Sequence, residues 1–101
     1  MFYILTLKET LQHGQTLRVV EWHRREGEIC QSGTLLVELE SFKAIVEIRV
    51  AQDVVLRRIL VTTGEREAPG RPIAILSDSS DEVMPPSFSA LQEIAVDYLF
   101  M

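Results

Sequence analysis

The chain has 101 residues, enough for one domain with a modest core but not for a core plus a separate catalytic domain. Apolar residues make up 47% and charged residues 25%, an ordinary balance for a folded globular chain. With 15 acidic against 10 basic side chains and a net charge of −5, a polyphosphate partner is repelled, so nucleic acid is set aside.

The first stretch, "FYILTL" (2–7), is apolar and strand-like. It is too short to span a bilayer and lacks the basic flank and small-residue cleavage site of a signal peptide, so the expectation is a cytoplasmic protein with no membrane partner. His13 and His23 are ten residues apart with no third histidine, and the sequence points to no carboxylates that would complete a zinc site, so both read as surface or partly packed side chains. Cys30 is the single cysteine. An internal disulfide is therefore impossible, and Cys30 reads as a small, partly buried residue in a turn rather than a reactive thiol.

From residue 17 onward the chain repeats itself. "REGEICQSGTLLVEL" (25–39) lies over "TTGEREAPGRPIAIL" (62–76) at a constant offset of 37 residues without gaps. Gly27 meets Gly64, Glu28 meets Glu65, Gly33 meets Gly70, and Leu36, Val37 and Leu39 meet Ile73, Ala74 and Leu76. Each unit is a Gly-Glu turn, a polar loop, a second glycine free to take positive φ, then an apolar strand. An apolar run precedes each, "LRVVEW" (17–22) and "VVLRRILV" (54–61). Two equivalent strand-turn-strand halves predict an all-β, quasi-two-fold flattened sandwich or barrel over 1–76.

Within "LLVELESFKAIVEI" (35–48), Leu35, Val37 and Leu39 alternate with Leu36, Glu38 and Glu40, and Ile45 and Ile48 resume the apolar pattern. Glu38 and Glu40 thus point the same way from one strand. The strand pair must reverse between Leu39 and Ile45, which puts Glu40, Ser41, Phe42 and Lys43 in a turn with Lys43 exposed at its tip. After Leu76, "SDSSDEVMPP" (77–86) reads as a proline-closed linker. In "SFSALQEIAVDYLFM" (87–101), Leu91, Ile94, Ala95 and Tyr98 have helical spacing, and Ser89 with Gln92 resembles a capping box. The expectation for 87–101 is a short amphipathic helix. Alone it is marginal, so it should dock on its own sandwich or on another chain, which would give an oligomer.

These residues, from about Ile4 to Leu76, resemble the biotinyl/lipoyl attachment domains, most of all the lipoyl domains of 2-oxo acid dehydrogenase acyltransferase components. The resemblance is carried by Trp22, by Arg25-Glu26-Gly27-Glu28, by Gly33-Thr34-Leu35 and by the hairpin Glu40-Ser41-Phe42-Lys43-Ala44, at the family's spacing. It implies a non-catalytic carrier with lipoic acid amide-linked to Lys43 and Glu40, Ser41, Phe42 and Ala44 as the hairpin recognised around it. The partners it implies are a lipoyl ligase or transferase, the 2-oxo acid dehydrogenase and acyltransferase components, and dihydrolipoyl dehydrogenase.

Biotin domains share the fold but set methionines on both sides of the lysine, where this chain has Phe42 and Ala44. Glu-Ser-x-Lys-Ala also resembles the hairpin of the glycine cleavage H protein. Phe42 stands where the lipoyl pattern has Asp, and Val50-Ala51-Gln52-Asp53-Val54 stands where the family has a proline- and glycine-bearing turn, which leaves Asp53 to make a local side-chain bond there. A biotin carrier and an unmodified lipoyl-like interaction module therefore stay open beside the lipoyl carrier.

Overall fold

A computed structural model describes residues 1–8, 16–42, 44–87 and 91–101, so Lys43, His13 and Ser89 lie outside the described residues. The strands among the described residues are, in chain order, β1 (Phe2–Thr6), β2 (Leu17–Trp22), β3 (Ile29–Cys30), β4 (Leu35–Glu40), β5 (Ile45–Val50), β6 (Val54–Ile59), β7 (Arg66–Glu67), β8 (Pro72–Ser77), β9 (Gln92–Glu93) and β10 (Val96–Phe100). They make two five-stranded sheets, ordered β3-β6-β8-β1-β9 and β10-β5-β4-β2-β7. Alternating side chains from both sheets, among them Leu5, Val19, Leu39, Ile48, Leu56 and Leu76, meet in one buried core.

The 37-residue repeat is the symmetry of the fold. Adding the offset turns β2 into β6, β3 into β7 and β4 into β8, while β1 takes the place of β5, so the two sheets match strand for strand. All four repeat glycines have positive φ: +93° at Gly27 and Gly33, +91° at Gly64 and +88° at Gly70. Their turns clasp the opposite half. Gly27 N–H donates to Leu56 C=O at 2.6 Å, and its repeat mate Gly64 N–H donates to Val19 C=O at 2.8 Å. The Gly-Glu turns close alike: the Glu28 carboxylate accepts Arg25 N–H at 2.6 Å, and the Glu65 carboxylate accepts Thr62 N–H at 2.7 Å. Both predicted halves and the all-β class are therefore present.

The C-terminal helix is not. Residues 92–100 form β9 and β10, and no helix occurs among the described residues. The physical reason is the free edge of β5. Val96, Tyr98 and Phe100 stand opposite Val50, Ile48 and Val46, so a strand gains both a hydrogen-bonded ladder and apolar neighbours. "AVDYLF" carries β-branched and aromatic residues in alternation as well as helical spacing, and tertiary pairing decides between them. With the helix goes the expected helical route to an oligomer.

Residues 77–82, just after the body of β8, are fastened rather than loose. The Arg57 guanidinium donates to Ser77 Oγ at 3.0 Å and to the carbonyls of Ser79 at 3.2 Å and Glu82 at 2.8 Å, and it lies 5.1 Å from the centroid of the Phe2 ring. The amino group of Met1 pairs with the Glu82 carboxylate.

Candidate functional site

The β4–β5 hairpin is the site that the sequence singles out. The strands pair from Leu35 and Arg49 up to Glu40 and Ile45, with a register shift between Leu35 and Val37 that leaves Leu36 and Val37 both buried. Beyond Glu40 the turn is latched by one residue pair. Ser41 N–H donates to Ala44 C=O at 2.8 Å, and Ala44 N–H donates back to Ser41 Oγ at 3.0 Å. Ser41 and Ala44 thus close the base of the connection between β4 and β5, and in the sequence Phe42 and Ala44 are the two neighbours of Lys43. Phe42 is 82% exposed.

Behind the latch, Arg18 of β2 reaches across to Glu40, Nε to Oε1 at 3.1 Å, so the Glu40 carboxylate is paired. On the other flank β10 runs up to the hairpin: Met101 N–H donates to Ile45 C=O at 2.8 Å. Glu40, Ser41, Phe42, Ala44, Ile45 and Met101 then line an open depression of about 330 Å³. Met101 is a neighbour that sequence reasoning missed, because the helical reading of 87–101 concealed the alternation that carries it there.

The remaining singled-out residues fall into place around this frame. Trp22 packs against the core and its indole N–H donates to Val61 C=O at 2.8 Å. With Ile59, its mate in the repeat, it helps to line an open groove that also includes Arg24 and Arg25. Asp53 does make a side-chain bond, but to a residue distant in sequence and not within its own turn: Ser32 N–H, beside the paired end of β3, donates to its Oδ1 at 2.7 Å. The turn at 51–53 needs neither proline nor glycine, since no described non-glycine residue has positive φ. Cys30 is fully buried, and burial pushes its thiol pKa up, which removes it from nucleophilic chemistry. His23, for which the sequence suggested no carboxylate neighbours, has two: Glu38 Oε1 lies 2.5 Å from Nε2, and Glu21 Oε2 lies 3.8 Å from Nδ1.

Comparison with known proteins gives the family. The biotin/lipoyl family model, described as that of a biotin-requiring enzyme, matches residues 10–76. The dihydrolipoyllysine-residue acetyltransferase component of the pyruvate dehydrogenase complex of Zymomonas mobilis is 31% identical over 78 residues, 76% of this chain and 18% of that protein. The corresponding succinyltransferase component of the 2-oxoglutarate dehydrogenase complex of Buchnera aphidicola is 34% identical over 58 residues, 57% of this chain and 14% of that protein. Mouse pyruvate dehydrogenase protein X component is 31% identical over 78 residues, covering 76% of this chain and 15% of that protein. The chain thus spans under a fifth of the length of these relatives. With a family match across two thirds of its residues and the two-fold β-sandwich that the match requires, the chain belongs to the biotin/lipoyl family.

Proposed function

We propose that this chain is a lipoyl carrier, with lipoic acid amide-linked to Lys43 and used for acyl transfer in a complex of the 2-oxo acid dehydrogenase type. The observation that carries the reading is the hairpin: a turn latched by Ser41 and Ala44, braced by the Arg18–Glu40 pair, with Phe42 fully out in solvent beside the lysine position. A group carrier needs its attachment residue on a stiff projection where several enzymes can reach it, while the attached group supplies the chemistry. When bound, lipoate supplies a dithiolane that accepts an acyl group and two electrons. The protein's own share in this reading is position and recognition.

Ser41 and Ala44 set the turn, Glu40 holds the strand end, and Phe42 offers an apolar contact to the enzyme that attaches the group. Lipoate is favoured over biotin because Phe42 and Ala44 stand where the biotin pattern has methionines. The partners in this reading are a lipoyl ligase or transferase, the dehydrogenase and acyltransferase components, and dihydrolipoyl dehydrogenase.

Intact mass spectrometry of the protein from lipoate-supplied cells tests the proposal. The expected result is a lipoyl-sized mass increment that Lys43→Arg abolishes without loss of the folded β-sheet signal. An unmodified protein, beside a control domain that is lipoylated in the same cells, would overturn it, and a streptavidin-binding product would move the assignment to biotin.

A further inference from the structure

The outer face of the sheet that carries the hairpin is crossed by a row of glutamates. Glu21 of β2 stands opposite Glu38 of β4, and Glu38 stands opposite Glu47 of β5. Like charges directly opposite one another destabilise a sheet, so such a row needs cations. Glu47 has one in Arg49, Nη2 to Oε1 at 3.2 Å. Among the described residues, Glu21 and Glu38 pair with the imidazole of His23. One donor atom from each of Glu21, His23 and Glu38 lies within 4.8 Å of the other two. His23 and Glu38 are about three-quarters buried, with side-chain exposures of 26% and 25%, while Glu21 at 62% forms an open outer wall.

We propose that Glu21, His23 and Glu38 form a binding site for a late first-row divalent cation, of which zinc is the reference case. An imidazole nitrogen with two carboxylate oxygens is a donor set that suits such ions. Three protein ligands leave a coordination position for water. Zinc bound at about 2.0–2.2 Å from each donor needs the donors roughly 3.3 Å apart. Glu21 and Glu38 ride on paired strands; Glu38 faces Nε2 and Glu21 faces Nδ1 of the ring, so Nε2 and Glu38 are the adjacent donors and the exposed Glu21 side chain must rotate toward Nε2 to complete the set. The ion takes the place of the direct His23–Glu38 contact and neutralises both carboxylates. Calcium and magnesium, which take oxygen donors in larger number, are not the expected occupants. The site ties β2 to β4, the strand that leads into the hairpin at Glu40. It stands independently of any modification of Lys43.

The test uses the full chain after chelator treatment, titrated with zinc chloride by calorimetry and followed by thermal unfolding. One ion per chain and a melting temperature that climbs with zinc concentration are expected. His23→Gln and Glu38→Gln should each lower affinity at least tenfold, whereas His13→Gln should leave it unchanged. Glu21→Gln alters an exposed side chain that the fold does not need, so it keeps the test valid if the other variants fail to fold; at least a tenfold loss is expected there too. Cobalt(II) should give visible absorption bands that Glu21→Gln changes. Absence of stoichiometric binding, binding indifferent to Glu21→Gln, dependence on His13, or displacement of zinc by millimolar calcium or magnesium would each overturn the proposal.

Discussion

At Gly27 a Cβ would meet nothing within 4 Å, yet φ is +93°, so the reason for glycine there is conformational and not steric crowding. Gly27→Ala should therefore cost about 1–2 kcal/mol, the penalty of the left-handed region for a Cβ, with Gly27→Asn costing less; urea denaturation of both variants measures it. Glu65 makes a second residue-scale prediction. The Thr62 hydroxyl and N–H both donate to its carboxylate, and they hold its pKa below the ordinary 4.5. A depressed folded-state pKa gives stability that is complete above 4.5 and is lost as pH falls through the folded value. Thr62→Val removes the hydroxyl donor, so the Glu65 carboxyl should titrate at higher pH in an NMR titration and this source of acid sensitivity should shrink. The Gly-Glu turns were legible in sequence because they are local, whereas positive φ was expected only at the second glycine of each unit and the Thr62–Glu65 bonds come from the structure. The His23 cluster was not legible: Glu38 is 15 residues away, and a register shift between Val19 and Glu21 decides that Glu21 faces it. No spacing rule carries that information.

Among the elements, β10 shows where sequence patterning is ambiguous. Its residues fit two periods, and the choice depends on an unpaired β5 edge that only the assembled sheet reveals. Tyr98 packs against the core from this strand, half-buried, and burial raises its pKa. Tyr98→Ala should cost about 2 kcal/mol, less than a fully buried aromatic would. A chain ending at Ala95 should associate in light-scattering measurements, because β5 would then present a bare edge with Val46, Ile48 and Val50 beside it. The segment after β8 depends on Arg57. Arg57→Ala removes three hydrogen bonds and the Phe2 contact, so a loss of roughly 1–2 kcal/mol should come with faster amide exchange over 79–82.

Over the whole molecule, the offset of 37 residues foretold the symmetry because each half repeats the same turn chemistry at the same spacing. It could not foretell which strands swap sheets, since β3 joins the sheet of β6 and β7 joins that of β2 through contacts distant in sequence. The symmetry also has a gap. The counterpart of the β4–β5 hairpin is the place where Phe2 faces Ser77, and there Asp78 N–H donates to Met1 C=O at 3.0 Å without a covalent link. The eight-stranded frame is in this sense a ring cut once. A chain opened in the turn at 51–53 and spliced from Ser77 to Phe2 would keep every strand neighbour among β1–β8, with the β4–β5 hairpin moved from the middle of the sequence to its end.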